Sequence, residues 1–167
     1  KACSISKDFV YIQQPYFDAD SYLFKKGLKL FWSDWRGHPN RMTSLDIHLL
    51  LRDLAENYEM EWSIHARKKI RNSNDTSVHS TKSDKDQHQY DAKVHPPKDF
   101  KIDFEDNIFY EIITVISFPG YNHNAILDNI RYDHTIFCSN EQAHNKKQTI
   151  VERFKRKLKN LTLILKK

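Results

Sequence analysis

Apolar and polar residues change period several times along the chain, and each change marks an element. Phe9-Val10-Tyr11-Ile12 is β-branched and aromatic, and Gly27 to Trp32 alternates before a turn-rich stretch from Ser33 to Asn40. Both read as outer or edge strands, and helix formers between positions 18 and 26 allow a short helix between them. From Thr43 or Ser44 the period becomes helical. Leu45, Leu49 and Leu54, with Ile47 and Leu50 beside them, oppose Asp46, Arg52, Asp53 and Glu56. This predicts an amphipathic helix over about 42–57, with Ser44 as N-cap and Asn57 as its stop.

Period two then takes over. Met60, Trp62, Ile64, Ala66 and Ile70 alternate with Glu59, Glu61, Ser63, His65, Arg67, Lys69 and Arg71, so a long strand with one core face and one wet face is expected. Residues 72–98 are mostly Ser, Asn, Asp, Lys and His up to Pro96-Pro97, and read as a long mobile loop. A short alternating strand over 98–105 follows. Ile108 to Phe118 is almost continuously apolar, as in a mid-sheet strand covered on both faces. A short helix over 124–130, a strand over 131–138 and a helix over 140–165 complete the pattern. The expected fold is one α+β domain over 1–167, with a mixed or antiparallel sheet of about five or six strands and two longer helices (about 42–57 and 140–165) on one face.

The chain has 167 residues, 39% of them hydrophobic, which suffices for one core without staples. No apolar run is long enough to span a membrane, and the opening Lys-Ala-Cys-Ser-Ile-Ser-Lys lacks a signal-peptide stretch. An intracellular protein, nuclear or cytoplasmic, is therefore expected, with a secreted mature form as the alternative. Cys3 and Cys138 stand 135 positions apart in no metal-binding spacing and read as two thiols, or as one long-loop disulfide in the secreted case. The only glycines are Gly27, Gly37 and Gly120, too dispersed for a phosphate loop, a dinucleotide fingerprint or a nucleophile elbow. No metal and no cofactor is implied.

Charge changes the picture. Residues 146–167 hold nine basic residues against one acid, whereas the whole chain is only +5, so everything else is net negative. Within this segment Val151, Phe154, Leu158, Leu161 and Leu165 form a seam at spacings of three and four. A polybasic helix is the footprint of a polyanion partner. The leading expectation is a non-catalytic RNA- or DNA-binding module within a larger assembly, contacting nucleic acid through Arg153, Arg156, Lys157 and Lys159, with Arg67, Lys69 and Arg71 on the sheet. The alternative is a protein-interaction subunit or homo-oligomer using Trp35 and Arg36 or the seam at Val151, Phe154, Leu158 and Leu161. A third reading is a small metal-independent ribonuclease or toxin-like nuclease with His65 and His134 as base and acid, supported by Arg67 or Lys68. His79, His88 and His95 are read as incidental exposed histidines, and His48 as a partly buried, hydrogen-bonded one. Glu111, the ionisable group inside the apolar run, is either paired with a neighbouring strand's Arg or Lys or kept for function.

Overall fold

A computed structural model of the chain describes residues 2–33, 40–83, 91, 93, 95, 98 and 101–139. The elements are α1 (Ala2–Ile5), β1 (Phe9–Pro15), α2 (Asp20–Lys25), β2 (Leu28–Leu30), α3 (Ser44–Leu54), β3 (Glu61–Asn72), β4 (Val78–Ser80), β5 (Asp103–Ser117), α4 (His123–Leu127) and β6 (His134–Cys138). The longest apolar run becomes β5, which has neighbours on both sides in a four-stranded antiparallel sheet of order β1-β5-β3-β6. A separate antiparallel pair, β2 with β4, makes a second, two-stranded sheet. The fold is thus α+β as expected, but its strands divide between two sheets. The anticipated helix over 140–165 lies outside the described residues.

The end of the stretch expected at 98–105 joins the one expected at 108–118 in one strand, because Asp106 and Asn107 stay extended within β5, which begins at Asp103. β1 sits at the edge and ends on Pro15, where a missing N–H is tolerated. The core is a single cluster in which Ile64, Ile108, Ile112 and Ile116 of β3 and β5 pack with Leu23, Leu30 and Trp32. Trp32 donates its indole N–H to the Tyr16 carbonyl at 3.0 Å, so its one polar atom is satisfied inside that core.

Three expectations need correction. The polar stretch from 72 carries β4, and Ser73, Ser77, Val78, His79 and Ser83 are buried, because β4 pairs with β2 and its hydroxyls find local partners. The loop reading fails at least to position 83. The second correction concerns β3, whose supposedly wet face is buried at Ser63 and His65 under α4 and the segment before β6. The third concerns the longer helix, where Ser44, Ile47 and Leu51 turn inward while Leu45, Leu49 and Leu50 stay 53%, 37% and 49% exposed.

The start of α3 explains that rotation. Thr43, not Ser44, is the N-cap, in a capping box where Thr43 Oγ1 accepts from the Asp46 backbone N–H and Asp46 accepts from the Thr43 N–H at 2.8 Å. Ser44 is free to point inward, and its backbone N–H donates to Asp18 at 2.8 Å. Asp18 thereby pins the helix start from the β1–α2 connection, where its negative charge also suits the helix dipole. Replacing Thr43 by alanine is expected to lower the unfolding free energy by about 1 kcal/mol in urea titration. The Thr43→Ala/Asp46→Ala double variant should lose less than the sum of the single losses, because both residues act in one reciprocal box.

Candidate functional site

The face of the sheet turned away from α3 carries a connected set of buried polar side chains, Ser63, His65, Glu111, Ser117 and His123. On it β5 presents Glu111, Ile113, Val115 and Ser117, facing Arg67, His65, Ser63 and Glu61 of β3 across the ladder. Glu111 is only 4% exposed although it sits in the interior strand. Arg67 Nε donates to its Oε1 at 2.6 Å, Lys68 Nζ lies 3.2 Å from the same oxygen, and Gln13 of β1 donates to Oε2. Burial alone would push the Glu111 carboxyl up, but the bonds from Arg67 and Lys68 outweigh it and hold it below its ordinary value.

Consecutive strand residues normally point to opposite faces, so Arg67 and Lys68 can reach one carboxylate only if the alternation breaks. It breaks at Lys68, whose φ of 60° is left-handed, and the ladder passes from Arg67–Glu111 to Lys69–Phe109 without it. The Lys68 ammonium, 60% exposed, also lies 5.0 Å from the Tyr110 ring centroid.

Further along the same face runs a chain of five side chains. Thr135 Oγ1 and His65 Nδ1 are 3.1 Å apart, His65 Nε2 and Ser63 Oγ 2.7 Å, Ser63 Oγ and His123 Nε2 2.7 Å, and His123 Nδ1 and Ser117 Oγ 2.9 Å. α4 exists to deliver His123. Its N-cap Asn122 accepts from the Ala125 N–H just after the Pro119-Gly120 turn, where Gly120 takes φ 95°. The Tyr132 ring covers His65 at 4.1 Å.

Ser63 has one hydroxyl hydrogen and two imidazole partners, so it donates to one ring and accepts from the other. With both rings neutral, the chain therefore runs in one of two directions. Either His65 carries its hydrogen on Nε2 and His123 on Nδ1, or His65 carries it on Nδ1 and His123 on Nε2. The tautomers are coupled. Burial, with the neighbouring His123 second, lowers His65 to about 4, and burial lowers His123 against an opposing pull from Glu61. Both are neutral bases at pH 7. Thr135 is exposed at one end, and at the other Ser117 lines a cleft of about 240 Å³ with Glu59, Glu61 and Tyr121. The arrangement can move hydrogen-bond polarity, or a single proton, between those ends.

A second buried group lies beside the small sheet. His79 and His95 rings are 4.3 Å apart, His95 Nδ1 bonds Ser83 Oγ, and Lys29 of β2 donates to the Ser83 carbonyl. Burial, and then His95, lowers His79 to about 4. His79 and His95 are thus fully internal, against the expectation of incidental exposure, while His88 lies outside the described residues. His48 stacks on Phe137 at 4.5 Å, and its Nδ1 is buried without a hydrogen-bond partner among the described residues.

The residues singled out from sequence scatter. His65 spends both ring nitrogens on Thr135 and Ser63, whereas His134 pairs across the ladder with Ala66 and stacks its ring on Phe109, so the two histidines share no bond. Arg67 and Lys68 serve Glu111. Lys69 donates its Nζ to Asn107 Oδ1 at 2.7 Å, and Arg71 is exposed at the end of β3. Trp35, Arg36, Val151, Arg153, Phe154, Arg156, Lys157, Leu158, Lys159 and Leu161 lie outside the described residues. Sequence reasoning missed Ser63, Ser117 and His123. The alternation of β3 carried a signal for Ser63, but nothing local tied His123 to it across 60 positions. Cys3 and Cys138 are not joined by a disulfide. Among the described residues no group of three or more His, Cys, Asp or Glu gathers as a metal site requires, and no helix is long and apolar enough to cross a membrane. Comparison with family models, with curated proteins and with solved structures finds no match.

The depressed histidines set an acid limit. His65 and His79 drop from 6.5 to about 4 on folding, so their neutral forms are favoured by the fold. That contribution is complete above pH 6.5 and is lost as the pH falls toward 4, because the unfolded chain takes up protons first. Urea stability should therefore decline over this window, and His65→Ala should reduce the slope by up to about 1.4 kcal/mol per pH unit, one proton's worth. An unchanged slope would show that His65 is already charged in the folded protein. At pH 7, Arg67→Ala should cost about 3 kcal/mol by stranding the buried carboxylate, and Lys68→Ala, at an exposed ammonium, under about 1 kcal/mol. The Arg67 penalty should shrink once the pH is low enough to protonate Glu111.

Proposed function

We propose that the chain is a non-catalytic nucleic-acid-binding module, a subunit of a larger assembly, that contacts RNA or DNA through its C-terminal basic segment. One observation carries this reading. Residues 146–167 hold nine basic residues and one acid in a chain that is otherwise net negative, so a polyanion would meet its attraction at one end. Lys69 and Arg71, both exposed at the end of β3, add basic groups on the sheet. The internal placement of His65 and His123, each bonded through both ring nitrogens, favours a structural part for these histidines over ribonuclease chemistry. A protein-interaction reading has its own support. Leu45, Leu49 and Leu50 of α3 are exposed apolar residues on a well-capped helix, which is how a partner-facing helix presents itself.

Binding to a labelled single strand and to a duplex, measured over a salt series, tests the first reading. The logarithm of the binding constant should fall with the logarithm of salt by several units. Changing Arg153, Arg156 and Lys159 to glutamate should weaken binding more than tenfold and flatten the duplex slope by about 2 to 3, with circular dichroism unchanged. Undiminished affinity in that variant removes the basic segment from the interface. If the wild type binds neither nucleic acid, the α3 leucines become the leading surface, and a mass measurement that changes on Leu45→Lys/Leu49→Lys would support that.

A further inference from the structure

Between α3 and the sheet three buried polar atoms have no hydrogen-bond partner among the described residues, Trp62 Nε1, His48 Nδ1 and the Thr114 hydroxyl, and of these three residues Thr114 is the one that lines an open groove. Thr114 lies near the C-terminal end of β5, between Ile12 of β1 and Ile64 of β3, and is 1% exposed. Its Oγ1 is buried and has no hydrogen-bond partner among the described residues. Valine has the same shape and would leave nothing unsatisfied, so a threonine here incurs a desolvation penalty that the fold does not recover.

Thr114 lines a groove of about 270 Å³ between α1, α3 and the sheet, with Cys3, Ile12, Leu50, Leu51 and Ile116 among its walls. A closed apolar cavity of about 150 Å³ holds one benzene ring, so this groove suits a ligand of one to two rings or a medium-length alkyl chain. Among the described residues no Lys, Arg, His, Asp or Glu side chain lines it. A charged head group would be desolvated there without a counter-ion, and a plain hydrocarbon would leave Thr114 unpaired. The other polar side chains of the lining are Ser4 and Tyr58 at its edge and Gln14, which donates to the Met42 carbonyl at 2.8 Å. Ile12 and Leu50, 40% and 49% exposed, leave the groove open to solvent at its rim. A second copy of the chain would need about 800 Å² per partner for a stable interface, well beyond a cleft of this size.

We propose that this groove binds a small uncharged amphipath whose apolar part lies between α3 and the sheet and whose single hydrogen-bonding head group pairs with the Thr114 hydroxyl. The site is independent of nucleic-acid binding.

The probe is 1-octanol, with octanoate as its charged counterpart, and the readout is the alkylation rate of Cys3 in the groove wall against that of Cys138. Saturating 1-octanol should slow Cys3 at least fivefold and leave Cys138 unchanged, while octanoate at equal concentration should protect far less. Thr114→Val should melt at the same or a higher temperature and bind 1-octanol about tenfold more weakly, the loss of one buried hydrogen bond, whereas Thr114→Ser should retain binding. Ile12→Trp, a change at a partly exposed edge-strand position, should fill the groove and abolish protection even if the valine variant fails to fold. The proposal is overturned if 1-octanol does not protect Cys3 up to its solubility limit. Equal affinity in Thr114→Val, persistent protection in Ile12→Trp, or a dimer whose Cys3 is shielded without any probe would each overturn it as well.

Discussion

A carboxylate buried in an interior strand is the constraint on which the sheet depends. Glu111 cannot stay ionised at that depth unless positive charge and hydrogen bonds meet it, and its partners come from both neighbouring strands. Arg67 and Lys68 bring β3, Gln13 brings β1, and the cluster thereby fixes β1-β5-β3 at one level. A slip of β3 by one residue would turn Arg67 to the α3 face and strand the charge, so the ion pairs specify register as well as contributing to stability. The left-handed backbone at Lys68 follows from the same demand, since it lets a second cation reach a carboxylate already held by its neighbour. Left-handed residues without glycine's freedom are strained, and this one is held by its ion pair and by the Tyr110 ring.

The histidine chain extends that logic toward the outer strand. β6 is short, and its ladder with β3 shifts register between Ile64 and His65, so backbone pairing alone specifies its position weakly. The bond from Thr135 to His65 fixes it on the far side of the shift, and His123 locks α4 over Ser63 and Ser117. Each member of the chain is satisfied only if every other member is in place. Such a network adds specificity at the expense of acid tolerance, because a second proton would leave the Ser63 hydroxyl hydrogen between two donors with nothing to accept it.

Period was the legible part of the sequence. The alternation of β3, the apolar run of β5 and the helix after Thr43 all appear where their spacing places them, because each depends on the chain's own geometry. Long-range satisfaction was not legible. Ser73, Ser77 and Ser83 read as loop residues by composition, yet they are internal because β4 pairs with β2, nearly 50 positions earlier in the chain. The helix face was misassigned for a related reason. Leucines dominate one side of the 44–54 segment, but Asp18 and the Thr43 cap set its rotation, and those contacts come from outside the periodic window. Glu111 was legible as a residue requiring a partner, whereas Lys68 as one of those partners needed the backbone break to be seen.

The two faces of the sheet therefore solve opposite problems. On the outer face polar side chains are numerous and bonded to one another, so burial there is offset locally and the surface is finished. On the α3 face most side chains are apolar, and the Thr114 hydroxyl at the groove, like Trp62 Nε1 and His48 Nδ1 beside it, has no hydrogen-bond partner among the described residues. α3 shields that face incompletely because its rotation points Leu45, Leu49 and Leu50 outward while Ile47 and Leu51 go inward. A core seldom keeps both an open apolar groove and an unpaired hydroxyl at its floor, since a valine would remove the second and a larger side chain the first. Their coincidence at one place is what separates a binding groove from a packing defect, and it assigns the unfinished chemistry of the described structure to the face that the charged residues leave alone.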